Sequence, residues 1–469
     1  MNRHPIPPAL LLMAAFTLAA FSTASLAQPS SAPTGAHEDS ARRVDPYEFA
    51  DGYSVVRTIT LRSVSEGIRL RWPRRIAEPW DTALLAVRSL GAGADPYVDI
   101  SAGAATVRQH LDPHAIGVRW LNLGVLRAQL AAETDVLILA HGVNLAGDKA
   151  ALRLFDNQLD LQNRILVIAP HPDDAEIAAF GLYANRQATI LTVTAGNAGD
   201  MNYRAQVGDP ARHYLLKGYL RAVDSVTVPW QGGIPPQRTA NLGYFDARLE
   251  EMYASPDKVI PELYGSNTDL EPYRRVNLSR LVAAGPRTNN WQHLVEDLAA
   301  ALSKVNPQLV VMPDPRLDAH TDHEFTAVAV MQAMQIWKGS PRFLLYTNHT
   351  DNNHYPYGPA GTTVSLPVVE SRIRLQRVYS LSTSDEIQVR KLFALESMHD
   401  LRLSPQEQID CGNADAARRP DYPRTPAEDY FRRAVRANEL FFAFDAEGAR
   451  TVISDFLTSR SATLGAAGR

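Results

Sequence analysis

Arg164-Ile165-Leu166-Val167-Ile168-Ala169, running into Pro170-His171-Pro172-Asp173-Asp174-Ala175-Glu176, is the stretch that decides the fold. Its first half is nearly all aliphatic, as expected of a short strand covered on both faces inside a parallel sheet. Helical spacing follows to about Asn185, and Thr189 to Val193 reads as a second strand ending in the turn Ala195 to Gly199. Further on, Trp291 to Val305 has helical spacing and Gln308 to Met312 is a strand. About Asp322 to Trp337 is again helical, and Phe343 to Tyr346 is again a strand. This alternation predicts an α/β domain over residues 161–402, a doubly wound, mostly parallel sheet. Its ligands are expected beyond the C-terminal strand ends.

Towards the N-terminus the period changes to two. Ile68, Leu70 and Trp72 alternate with Arg69 and Arg71, and Ile116, Val118 and Trp120 alternate with Gly117 and Arg119. Residues 46–160 are therefore expected to form a small accessory β-sandwich. Trp72, Trp80 and Trp120 could stack on sugar rings, but core packing is the commoner fate of such rings. Residues 28–45 are rich in Ser, Ala and Pro without periodicity and are expected to be an unstructured linker. Before them lie Arg3, an apolar run from Ala9 to Phe21 and Ser25-Leu26-Ala27. That order is expected of a cleaved signal peptide over 1–27, and it implies export to the periplasm or medium. No later stretch is long and apolar enough for a span, so none is expected after cleavage.

Towards the C-terminus, Thr425-Pro426-Ala427-Glu428 has the form of a capping box. A helix is expected from there to about Phe442, within a helical extension over 403–469. The net charge of −4 and the lack of a Lys/Arg run exclude nucleic acid as a partner. Cys411 is the single cysteine, so no internal disulfide or Cys-based zinc cluster can form, and Cys411 itself reads as a bystander. A chain of 469 residues leaves the oligomeric state open.

Any metal must then be held by His and carboxylates. His171 and Asp174, three residues apart across a Pro-led turn, can aim at one point while Asp173 faces elsewhere. A hydrolytic zinc site takes three protein ligands and leaves one position for water. A third ligand is available about 150 residues later, in Asp318-Ala319-His320-Thr321-Asp322-His323, beyond another strand of the same sheet. Taken alone, the first cluster could be a helix cap and the second a solvated turn. Two such clusters at equivalent strand ends point instead to one shared site. His349 and His354 follow the last strand and read as solvated loop residues. His110, His114 and His141 lack partner spacing, and the turn Ala195 to Gly199 lacks a phosphate-binding pattern.

His171 to Glu176, Thr192 to Gly199 and the His320/Asp322/His323 cluster together resemble the PIG-L/LmbE-type zinc-dependent N-deacetylases over about residues 161–400. The resemblance implies a Rossmann-like fold and a zinc ion, or another divalent metal, held by His171, Asp174 and His323. It implies Asp173 as general base, His320 as acid or electrophilic partner, and Asp322 as the group holding the His320 imidazole. Asp246, in Leu242 to Asp246, would contact a sugar hydroxyl, and Arg212 would bind substrate, although Leu215 stands where the family often has Glu. Lys391 to Ala394 continues the likeness, and Phe180-Gly181 departs from the usual Gly-Gly. The expected activity is hydrolysis of an N-acetyl group from an amino sugar, glycan or glycoconjugate. The alternatives are a zinc amidase acting on another N-acyl compound and a non-catalytic glycan-binding protein. Glu250 to Pro286 has weak periodicity and is expected to serve as a substrate-site element.

Overall fold

The computed structural model describes residues 45–65, 67–282, 287–350, 355–369, 371–401 and 430–467. The expected signal peptide and most of the linker, together with His354, Cys411 and the Thr425–Glu428 cap, lie outside these residues.

The chain begins with β1 (Tyr47–Phe49), β2 (Val55–Val64), β3 (Gly67–Arg71) and β4 (Thr82–Ala102). β5 (Ala105–His110), β6 (Gly117–Asn122), β7 (Asp135–Ala146) and β8 (Lys149–Phe155) follow. β2 to β8 form one antiparallel sheet in the order β5-β4-β7-β3-β2-β8, with β6 also on β4. The expected two-sheet sandwich is therefore replaced by a single sheet. The cause is the length of β4, 21 residues. Its start, Thr82–Leu85, pairs with β8, and Arg88–Ala102 pairs with β7, so the sheet returns onto itself. Alternate residues such as Leu61, Leu70, Leu85, Val98, Ile138 and Leu152 fill the inside. Trp72 is buried with Trp80 packed on it at 5.3 Å, and Trp120 packs edge-on against Phe49, so these rings serve packing.

The second half runs β9 (Ile165–Ala169), α1 (Asp174–Tyr183), β10 (Ala188–Thr194), α2 (Pro210–Thr227) and β11 (Thr239–Tyr244). Next come α3 (Leu249–Ala254), α4 (Glu271–Arg274), α5 (Trp291–Val305), β12 (Leu309–Pro313), α6 (Thr321–Trp337) and β13 (Arg342–Tyr346). β14 (Ile373–Leu375), β15 (Arg377–Ser382), α7 (Asp385–Ser397), α8 (Tyr430–Arg433), β16 (Asn438–Phe444) and α9 (Ala446–Ala467) complete it. The result is a mixed α/β fold. Its sheet has the order β11-β10-β9-β12-β13-β16-β15, and the first five strands are parallel. β9 is buried throughout. Ile165 and Val167 face one core with α1 and α7, while Leu166 and Ile168 face another with α5, α6 and α9. After β9 the chain adds strands on one side, then returns to lay β12 on the other, so a crevice opens beyond the C-terminal ends of β9 and β12.

Local signals place the elements. The Asn290 side chain accepts from His293 N to start α5, and Asn306 in the left-handed region ends it. Two boundaries need correction. β1 pairs with β14 while Phe49 packs on Trp120 and Phe155, so Tyr47 to Phe49 bridge the β region and the segment after β13. The expected helical extension contains a strand: among its described residues, only Tyr430–Arg433 is helical before β16, which lies antiparallel between β13 and β15. The reason is composition, since Leu440-Phe-Phe-Ala-Phe444 is apolar on both strand faces and almost wholly buried.

Candidate metal centre

Where β9 leaves the sheet, His171 and Pro172 turn the chain into α1. Asp173, the residue ahead of the helix, is held at φ 125°, a conformation that costs a non-glycine residue about 1–3 kcal/mol. Asp174 then opens α1. Its Oδ2 accepts from His171 N at 2.8 Å and lies 3.2 Å from His171 Nδ1. From beyond β12, His320 caps α6, its Nδ1 accepting from Asp322 N, and the first turn brings in His323. His323 Nε2 lies 3.0 Å from Asp174 Oδ2 and 3.2 Å from His171 Nδ1.

Two imidazole nitrogens and one carboxylate oxygen thus form a triangle with edges of 3.0 to 3.2 Å. Donors about 2.0–2.1 Å from a tetrahedral ion stand roughly 3.3 Å apart, so these three fit a small divalent cation. The charge balance agrees. Asp173, Asp174, Asp246, Asp318 and Asp322 are all buried around the triangle, and among the described residues that line the cleft the cationic side chains are Lys217 and Arg221. A divalent ion would relieve that surplus.

The outer faces of the ligands are also fixed. His171 Nε2 lies 3.1 Å from Asp246 Oδ1 and 3.3 Å from Asp322 Oδ2. His323 Nδ1 lies 3.0 Å from Asp318 Oδ2, and Asp174 Oδ1 accepts from Asn348 Nδ2 at 2.8 Å. Such partners set ring orientation and tautomer, and they leave the inward nitrogens free to bind metal.

Two expectations change here, those for Asp322 and Arg212, while Asp246 gains partners of its own. Asp322 does not hold the His320 imidazole with its carboxylate. That group accepts from Ala247 N at 2.7 Å and Leu249 N at 3.2 Å and faces His171, while the backbone N–H of Asp322 donates to His320. Asp246 is engaged by His171 and by Ala198 N, at 3.2 Å, and reaches the cleft as a wall residue. Arg212 is exposed in the first turn of α2 and does not line the cleft. Lys217 and Arg221 of the same helix do; the step of nine residues from Arg212 to Arg221 is two and a half turns, which places the two on opposite faces of the helix.

Arg221 Nη2 donates to Asp173 Oδ2 at 2.8 Å and to Pro172 O at 2.9 Å. Burial, opposed by Arg221 and reinforced by Asp174, pushes the Asp173 carboxyl up to about 7. Burial, with His171 and His323 nearby, pushes His320 down to about 3, so it is neutral, and with Nδ1 accepting its proton sits on Nε2. His349, expected in solvent, instead lines the cleft, 5.0 Å from the His323 ring and stacked on Tyr430. The cleft has a volume of about 810 Å³ and is lined by His171, Asp173 and His320 together with Ile177, Tyr264 and Phe431. Leu263 and Tyr264 come from the weakly periodic Glu250 to Pro286 segment.

Arg221, Asp318, Asn348 and His349 were not singled out as site residues from the sequence. Asp318 and His349 sit in or beside stretches already marked. Arg221 and Asn348 carry no local pattern, because their role comes from packing between distant elements.

The domain is a mixed α/β fold with a His/Asp group at its strand ends that could hold a metal. Residues 166–334 match the family model described as PIG-L, GlcNAc-PI de-N-acetylase, and the chain thus carries a domain of that family. Among solved structures, the chain is similar to an antimicrobial-reagent pseudoaglycone deacetylase at 18% identity, TM-score 0.32, over 60% of this chain and 98% of that one. It is also similar to a 4-carboxy-2-hydroxymuconate hydratase from Pseudomonas putida, at 14% identity, TM-score 0.29, over 51% of this chain and 79% of that one. No curated protein sequence matches the chain.

Proposed function

We propose that this PIG-L domain is a metal-dependent N-deacetylase that acts on an acetylated amino sugar, glycan or glycoconjugate outside the cytoplasm. The observation that carries the proposal is the triangle of His171 Nδ1, Asp174 Oδ2 and His323 Nε2, with edges of 3.0 to 3.2 Å, which meets an open cleft through His171. These three residues would hold Zn2+ or another divalent ion. When bound, such an ion makes a water acidic and draws electron density from an amide oxygen.

The chain's own residues supply the proton chemistry. Asp173, which lines the cleft next to Asp174 in the chain, takes a proton from the attacking water and passes it to the leaving nitrogen. Arg221 holds that carboxylate in place. His320, capped at Nδ1, directs an Nε2–H into the site and donates it to the developing oxyanion as a neutral imidazole. Asp322 and Asp246 hold His171 from behind. The expectation of a His320 imidazole held by Asp322 thus gives way to a neutral donor oriented by a backbone N–H.

The sugar is proposed from the family and from the room in the cleft; export is proposed from the N-terminal sequence. Acetate release from a panel of N-acetylated oligosaccharides tests the activity, with metal-loaded, chelated and Asp173→Ala protein compared. Metal-dependent release lost in Asp173→Ala supports the proposal. Release from another N-acyl compound alone would make it a different amidase, and zinc and glycan binding without release would make it a binding protein. Cleavage after Ala27 in secreted material, read by N-terminal sequencing, tests the location.

A further inference from the structure

We infer that Asn348 is a positioning residue of the metal centre, setting two of the three ligands at once and tying them to the C-terminal segment. The inference rests on the metal-hydrolase reading. Asn348 lies two residues beyond β13, on an element that contributes none of the three ligands, and it is 2% exposed. Three of its polar groups have separate tasks. Its Nδ2 donates to Asp174 Oδ1 at 2.8 Å. Its backbone N–H donates to Asp318 Oδ2 at 2.8 Å, the same oxygen that meets His323 Nδ1 at 3.0 Å. Its carbonyl accepts from the Tyr430 hydroxyl.

The consequences follow from the geometry of each ligand. A carboxylate presents two equivalent oxygens, and rotation about its last bond exchanges them. With Oδ1 held by the Asn348 amide and Oδ2 held by His171 N, Asp174 keeps Oδ2 in the triangle. An imidazole presents two nitrogens, and the Asp318 carboxylate fixes the proton of His323 on Nδ1, leaving Nε2 as the donor atom. Asp318 is itself fixed by Asn348 N and His349 N, and Ala319 N donates to His349 O at 2.7 Å, so the segments after β12 and β13 are zipped together. Asn348 is the residue common to the Asp174 and His323 arms.

Tyr430 extends the device. Its ring stacks on His349 and its hydroxyl holds the Asn348 carbonyl, so a segment just ahead of β16 braces a site assembled from β9 and β12. The neighbouring Phe431 lines the cleft.

The test is metal affinity, read by competition with a chromogenic chelator for Zn2+, alongside the melting temperature of the metal-free protein. Asn348→Ala is expected to bind zinc about 10- to 100-fold more weakly than wild type, as for other residues that orient metal ligands. Tyr430→Phe keeps the ring and loses one hydrogen bond, and a loss of roughly three- to tenfold is expected. Should Asn348→Ala fail to fold, Tyr430→Phe decides alone. Wild-type affinity in the folded variants, whatever their melting temperatures, would assign Asn348 to packing and overturn the inference. A wild-type protein that binds no metal would remove the metal-hydrolase reading itself, a distinct failure.

Discussion

Asp173 pays for its place with backbone strain at φ 125°, and what it gains is a carboxylate in the cleft, gripped by Arg221. Asp173→Asn is therefore expected to cut kcat by about 10²- to 10⁴-fold, the range for a lost general base. Bound zinc should stay at the wild-type level, checked by elemental analysis of the same sample. His320→Ala should lower kcat by about 10²- to 10³-fold through loss of the oxyanion donor, with little change in metal content. If zinc left with either side chain, that residue would be a ligand. The pair of clusters was legible because each is short and local: His171 to Asp174 spans one turn, and His320 to His323 another. The roles of Asp322 and Asp246 were not, because both act on His171, from elements 151 and 75 residues away from it.

At the scale of elements, α1 shows how a departure in the sequence is absorbed. Ala179 leaves the helical region, and the N–H groups of Gly181 and Leu182 turn to the Glu439 carboxylate of β16, at 2.7 and 2.8 Å. Lys391 of α7 neutralises that carboxylate at 3.0 Å and also donates to Ile177 O. A side chain at Gly181 would bring its Cβ within 2.7 Å of Thr383, which explains a glycine there. Removing one partner of such a buried pair costs about 3–5 kcal/mol, so Glu439→Ala should lower the unfolding free energy by that amount in urea titration. A change under about 1 kcal/mol would mean the pair is peripheral. All-apolar strands such as β9 and β12 were readable from composition. β16 was hidden by a helix signal at Thr425 to Glu428, which gave no stopping point before the buried aromatic run began.

Over the whole molecule, the C-terminal residues are part of the main sheet. β16 fills the place between β13 and β15, pairing Phe343 with Phe444 and Tyr379 with Phe441. A chain ending at Leu401 should therefore be insoluble or lack cooperative unfolding; a soluble truncation with a sharp melting transition would make the tail an appendage. The β region was legible as strands but not as a single sheet. Alternation tells which face of a strand is buried, not which strand lies beside it, and the double pairing of β4 depends on its length and bulges. The most direct test is calorimetric titration of metal-free protein with Zn2+, wild type beside His323→Ala. The wild type should bind one ion per chain and the variant at least a hundredfold more weakly, as expected when one of three ligands is lost. Binding unchanged in His323→Ala, or no binding by the wild type, would contradict the three-ligand centre.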